Sequence, residues 1–154
     1  MARKKVLSLC VASALLFCAL TAVAQDADAR HKATNSQALN WTSDLKKGLN
    51  EAKSSNKLVL ADVYTDWCGW CKTLDRTTFV DPDFVKYASA NFVCVRCNAE
   101  DNGEGTKAAQ ENKVTGFPTA LVYDGDGKVI GRVYGFKNAK EYQEALEQII
   151  KNKR

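Results

Sequence analysis

Histidine and proline are nearly missing from this sequence: its 154 residues include one His and two Pro. The single His31 lies in a polar stretch, where it reads as a solvated linker residue, so His-dependent catalysis and His-rich metal sites have no basis. Two prolines and 9 glycines exclude collagen-like and Pro-rich architectures. No span is self-similar over about 20–50 residues, which excludes a solenoid. Acidic residues are absent before Asp26, although Arg3, Lys4 and Lys5 supply three of the four net positive charges. Beyond residue 24 the chain carries 19 basic and 18 acidic residues, so its charge suggests no nucleic-acid partner. What is present, 45% hydrophobic and 26% charged residues, is the composition of one folded domain with a short appendage.

Met1 to Ala24 has the three parts of a secretory signal. Arg3-Lys4-Lys5 form the positive region, Val6 to Leu20 the apolar run, and Ala22-Val23-Ala24 a small-x-small cleavage site. An uncleaved anchor is the rival, because no charge interrupts Val6 to Gln25. Lipidation at Cys18 is disfavoured by the bulky Phe17 before it. Residues 25–40 read as a flexible polar tether, and residues 41–154 as the folded domain. A periplasmic or secreted protein, cleaved near Ala24, is expected. Cys10 and Cys18 would leave with the leader, and Cys68, Cys71, Cys94 and Cys97 would remain where disulfides persist. Four cysteines are too few for a disulfide scaffold of this size, which points to redox or metal chemistry.

The pattern predicts helices and strands in alternation. Leu45, Leu49 and Ala52 recur at helical spacing behind a Thr42/Ser43 cap. Leu58 to Tyr64 is a short apolar run, as in a strand buried on both faces. A helix follows from the 68–71 motif, and Asp81-Pro82 opens another that runs to about Ala88. Phe92 to Cys97 is a second buried strand, and Thr106 to Asn112 suits a helix. Thr119–Tyr123 and Val129–Tyr134 flank Asp124-Gly125-Asp126-Gly127, a hairpin signal. Asn138 and Glu141 form a capping box, after which Tyr142, Ala145, Leu146, Ile149 and Ile150 share a face. Strands joined by helices are parallel and the terminal hairpin is antiparallel, giving an α/β fold, a central mixed sheet flanked by helices on both faces. That element order is the order of the thioredoxin fold.

Trp67-Cys68-Gly69-Trp70-Cys71-Lys72 falls where the first buried strand turns into a helix. Two cysteines three apart at a helix start can reach disulfide geometry. The first would sit beside unpaired backbone N–H groups and the positive end of the helix dipole, which favour thiolate over thiol. Cys68 is therefore the expected nucleophile and Cys71 the resolving thiol, a purely structural disulfide being the plainer alternative.

Residues 57–150 resemble a thioredoxin-family domain, nearest to the C-terminal periplasmic domain of the thiol:disulfide interchange proteins and their stand-alone relatives. The resemblance rests on Asp62 six residues before Cys68, the cysteine motif, Thr78-Phe79-Val80-Asp81-Pro82 and Gly116-Phe117-Pro118-Thr119. It implies that Asp62, desolvated on its strand, trades a proton with Cys71; the alternative is an ion pair with Arg96. It further implies that Pro118 is a cis-proline facing the cysteines, with the Phe117 backbone open to an extended substrate, where an ordinary trans turn is the alternative. Trp67 and Trp70 would be exposed rims of the docking surface, a packing role being nearly as good a reading for Trp67. Gly69-Trp70 puts no imidazole between the cysteines, which leans the pair toward a reductant.

Cys94-Val95-Arg96-Cys97 completes a C-x2-C-x22-C-x2-C pattern, so a four-Cys zinc module is the main rival. On a strand, however, residues three apart point to opposite faces, and two separate buried thiols are the preferred reading. The expected activity is thus protein-disulfide reduction by a thiol–disulfide oxidoreductase, with an oxidase or isomerase on the same fold as the alternative. The expected partners are protein thiols and disulfides and, by the resemblance, a membrane electron donor. A monomer with no cofactor and no metal site is expected.

Overall fold

A computed structural model describes residues 38–153. The leader, its cleavage site near Ala24, His31 and most of the tether lie outside the described residues. In chain order the elements are β1 (Trp41–Thr42), α1 (Leu45–Ser55), β2 (Leu58–Tyr64), α2 (Gly69–Arg76), a 3-10 turn (Thr78–Val80) and α3 (Pro82–Asn91). There follow β3 (Phe92–Asn98), α4 (Glu104–Glu111), β4 (Thr119–Tyr123), β5 (Val129–Tyr134) and α5 (Ala139–Lys153). The five strands form one sheet in the order β1-β3-β2-β4-β5. β3 is parallel to both β1 and β2, whereas β4 runs antiparallel to β2 and β5 antiparallel to β4. This is the mixed sheet expected from the alternation of helices and strands.

The side-chain alternation of β2 and β3 builds two cores, one on each face. Leu60, Cys94, Ala120 and Val122 pack with Leu74 of α2, Phe84 of α3 and Tyr142 and Leu146 of α5. Val59, Ala61, Val63, Val95 and Cys97 pack on the other face against Ala52 of α1 and Ala108 and Ala109 of α4. Both faces of β2 are therefore covered, which is why its sequence is a continuous apolar run broken by one charge, Asp62.

Local signals account for most boundaries. The Asp81 carboxylate accepts from the N–H groups of Asp83 and Phe84 at 3.1 and 3.0 Å, with Pro82 at the first helical position. Asn138 and Glu141 exchange hydrogen bonds of 3.2 and 3.0 Å, the reciprocal pattern of a capping box. The hairpin closes through Asp124, whose Oδ1 accepts from Asp126 and Lys128, with Gly127 at φ +81°.

Four features differ from the expectation. The cap of α1 is Asp44, which accepts from the Lys47 N–H at 2.7 Å; Thr42 instead belongs to β1, a strand that exists only because the edge of β3 is there to pair with it. Leu39, placed in the tether by its polar neighbours, is buried in the first core, so packing begins two residues before Trp41. α3 continues to Asn91, one turn beyond Ala88, because Ala88 is fully buried mid-helix. α4 starts at Glu104, ahead of Thr106, because Asp101 gathers the N–H groups of Gly103, Gly105 and Thr106.

At Gly105 that turn runs against β3, and a Cβ there would stand 2.2 Å from the Asn98 carbonyl oxygen. Gly105→Ala is therefore expected to lower stability in urea unfolding by about 1–3 kcal/mol. Gly116→Ala, whose Cβ meets nothing within 4 Å, should stay within about 0.5 kcal/mol of the parent. Equal effects of the two substitutions would contradict this account of α4.

Candidate functional site

β2 delivers the chain to the site and the turn after it sets the cysteines. Beyond Tyr64 the Cys68 N–H donates to the Thr65 carbonyl at 3.2 Å, which turns the backbone out of the sheet. Cys68 then occupies the N-cap of α2: its backbone is extended, its carbonyl accepts from Lys72, and its Sγ accepts from the Cys71 N–H at 3.1 Å. Cys68 and Cys71 are joined as a disulfide, with Cα atoms 5.3 Å apart. Both residues are buried. When the bond is reduced, charge on the Cys68 sulfur falls on an N–H donor and on the positive end of the helix dipole, whereas Cys71 lies one turn inside.

A second segment meets the motif through aromatic contact. The Phe117–Pro118 peptide bond is cis. The Trp67 ring meets Phe117 edge-on at 6.0 Å, and its Nε1 donates to Glu100 at 3.0 Å, yet Trp67 remains 68% exposed. Trp67 thus combines a packed edge with an open face. On the other side Trp70, 62% exposed, lies 5.5 Å from Phe136. The loop itself is held by a Thr119 hydroxyl bond to the Gly116 carbonyl and by the Gly135 N–H donating to Pro118 O. Among the described residues, the N–H and C=O of Phe117 have no hydrogen-bond partner.

Beneath α2, on the sheet face that carries Leu60, sits a charge cluster built around one buried acid. Asp62 is 1% exposed. An Arg96 Nη lies 3.1 Å from Asp62 Oδ2, but the guanidinium hydrogens are directed at Asp75 of α2, in a bidentate pair of 2.5 and 3.0 Å. Among the described residues, Asp62 Oδ1 has no hydrogen-bond partner. Arg96 is also stacked on Tyr64 at 4.5 Å and on Trp41 at 5.1 Å, so it stays charged and fixed. Burial raises the Asp62 pKa from the ordinary 3.8 to about 7, against the lowering pull of Arg96. One oxygen of Asp62 thus faces the cation, and the other makes no hydrogen bond among the described residues. Asp75 was missed; its only sequence signal was an acid four residues after Cys71, one turn along the same helix.

Cys94 and Cys97 are free, buried thiols in two different cores on opposite faces of the sheet. Burial pushes both up to about 12, which makes them poor nucleophiles and poor metal ligands near neutral pH. The two thiols therefore point to opposite faces of the sheet, as the pleat of a strand requires.

The comparisons with known proteins agree with this geometry. A family model described as a thioredoxin-like domain matches residues 45–150. The thiol:disulfide interchange protein DsbD of Photorhabdus laumondii is 33% identical over 125 residues, covering 79% of this chain and 21% of that protein. DsbD of Escherichia coli O6:H1 is 36% identical over 126 residues, covering 77% and 22%. The chain thus spans about a fifth of the length of these curated relatives. The oxidised C-terminal domain of Neisseria meningitidis DsbD superposes with a TM-score of 0.59 at 25% identity, covering 71% of this chain and 98% of that one.

A buried carboxyl with a raised pKa makes stability depend on pH. As the pH climbs from about 4 to about 7, the unfolded chain surrenders the Asp62 proton while the folded protein keeps it, so stability falls over that window and levels off above it. Asp62→Asn should remove this slope. The variant should match the parent near pH 4 and exceed it at pH 8 by roughly 1–4 kcal/mol in denaturant titrations. A variant less stable than the parent at pH 8 would show instead that the ionised pair with Arg96 stabilises the fold.

Proposed function

The chain belongs to the thioredoxin-like domain family and carries the paired cysteines of a thiol–disulfide oxidoreductase, and on that premise we propose that it is an exported reductant of protein disulfides. The observation that carries this reading is the Cys68–Cys71 pair at the N-cap of α2, beside the Phe117–Pro118 loop.

In the reducing direction the Cys68 thiolate attacks one sulfur of a substrate disulfide. A Cys68–substrate bond forms and the substrate's second sulfur leaves, taking up a proton. Cys71 then loses its proton, with the free Asp62 Oδ1 as the base, and attacks Cys68. The Cys68–Cys71 bond closes and the reduced substrate departs, two electrons having passed to it. Asp62 suits this role because its pKa of about 7 lets it hold or release a proton near neutrality. Trp67, Trp70, Phe117 and Pro118 form the docking surface, and the unpaired Phe117 backbone groups receive an extended substrate strand.

Export is supported by the three-part leader and by the survival of four cysteines beyond it. The protein would work in the periplasm or outside the cell, tethered or released at residue 24. There the disulfide must be re-reduced after each turn, and a membrane electron donor of the kind the resemblance implies would do so. One copy contains every group the exchange uses, so the proposed reaction needs no second copy.

Equilibration with glutathione redox buffers tests the direction. A potential near about −270 mV, as in thioredoxin, supports the reductant, and one near about −120 mV, as in strong oxidants of the fold, makes it an oxidase. Cys68→Ser should abolish reduction of insulin disulfides, while Cys94→Ala should leave it within about twofold. Activity that depends on Cys94 and survives loss of Cys68 would reassign the site.

A further inference from the structure

One nitrogen of Arg96, Nη1, lies within reach of two carboxylates, Asp75 on α2 and Asp62 on β2. Its hydrogens go to Asp75, which is partly exposed, although a buried carboxylate such as Asp62 has more to gain from a charge-assisted bond. A small rotation of the guanidinium would turn Nη1 onto Asp62 Oδ2, so whatever fixes that plane selects the partner. A planar cation stacks on aromatic faces, and two rings lie against this one: Tyr64 at 4.5 Å and Trp41 at 5.1 Å.

The two rings have different origins. Tyr64 ends β2, the strand that carries Asp62 itself. Trp41 comes from β1, only two residues long, whose backbone pairs it with Cys94, two residues before Arg96 on β3. Its ring also packs on Phe79 at 5.0 Å, and Phe79 in turn rests on Phe84 and Tyr142. Leu39, buried just ahead, anchors the same segment. Packing on Phe79 asks for an apolar side chain at position 41; it does not ask for an aromatic face turned to a cation. In the sequence Trp41 marks only where the domain begins, and its place beside Arg96 follows from the pairing of β1 with β3.

Resting on the redox reading above, we infer that Trp41 is a positioning residue for the proton step: its ring holds the Arg96 guanidinium on Asp75 and so leaves Asp62 without a full hydrogen bond from the cation. Without that ring face Nη1 turns to Asp62, the ionised carboxylate is held more firmly, and the acid becomes a weaker base toward Cys71. The titratable groups around Asp62 are Asp75 and Cys71 from α2, Arg96, Cys94 and Cys97 from β3, Tyr64 on its own strand and Tyr142 from α5. Burial pushes Cys94 and Cys97 up to about 12 and Tyr142 well above the ordinary tyrosine value. The charges that act on Asp62 are therefore those of Arg96, which lowers its pKa, and Asp75, which raises it.

The test reads Asp62 directly, by the carbon-13 shift of its carboxyl in the oxidised protein from about pH 4 to about pH 10, beside the pH profile of insulin-disulfide reduction. The parent midpoint is expected at about 7. Trp41→Leu should lower it by at least about one pH unit and carry the acid limb of the turnover profile down with it. Trp41→Phe, which keeps a ring, should leave both within about 0.3 of the parent. In an Arg96→Gln background Trp41→Leu should leave the midpoint unmoved, because the ring acts through the cation. Thermal unfolding is run on each variant, with Trp41→Met and Arg96→Met as second choices should the first not fold. A midpoint that Trp41→Leu leaves in place, or shifts equally with and without Arg96, overturns the positioning role and reduces Trp41 to packing. A midpoint that moves while the turnover profile stays overturns its part in the reaction; neither result touches the redox reading. A parent with intact cysteines that reduces no insulin overturns the redox reading and the proton step with it, whatever the midpoints.

Discussion

A sulfur atom at the N-cap of a helix, with a backbone N–H aimed at it, is the interaction on which the site depends. Cys68 caps α2 as a serine or aspartate would cap another helix, and its Sγ takes the place of a capping oxygen. The arrangement needs a strand that ends abruptly, and β2 provides one because it is buried on both faces and cannot drift from its register with β3 and β4. It also needs α2 held to the sheet, and the Arg96–Asp75 pair does this with Leu74 of the same helix buried in the core.

The same clamp governs the buried acid. Because Arg96 turns its hydrogens to Asp75, Asp62 receives the field of the cation without a full hydrogen bond, and one of its oxygens stays bare. A bidentate bond to Asp62 would have held its pKa in the ordinary carboxylate range or below; burial without that bond lifts it to about 7. Thus burial sets the acidity of a group on β2, and a side chain on β3 lowers it while one on α2 raises it. The cost of that buried carboxyl is carried by the surrounding packing, in which Tyr142 and Leu60 are fully buried on the same face.

Much of this was legible in the chain because local chemistry and tertiary structure agree. β2, β4 and β5 fall where apolar runs and the Asp-Gly-Asp-Gly turn put them, and the caps at Asp81 and Asn138 do what those residue types do at helix starts. Asp62, Cys68 and Cys71 could be picked out because an acid inside an apolar run and a cysteine pair at a strand end conflict with purely structural readings. What escaped depends on partners distant in sequence. β1 is two residues long and acquires meaning only from the edge of β3. Asp75 looks like any exposed helical acid until Arg96 is seen opposite it, and Phe136 like any loop aromatic until Trp70 is. Cys94 and Cys97 show the reverse case, a suggestive spacing that the pleat of a strand separates into two cores.

The most direct measurement is the pH dependence of alkylation of the fully reduced protein, with modification read at each cysteine by mass spectrometry. If the helix start stabilises the sulfur anion, Cys68 should react first, with a midpoint clearly below the roughly 8.5 of a free thiol. Cys71 should react only after Cys68, and Cys94 and Cys97 should stay unmodified until strongly alkaline pH. A midpoint for Cys68 at or above that of a free thiol, or earlier modification of Cys71, would contradict the account.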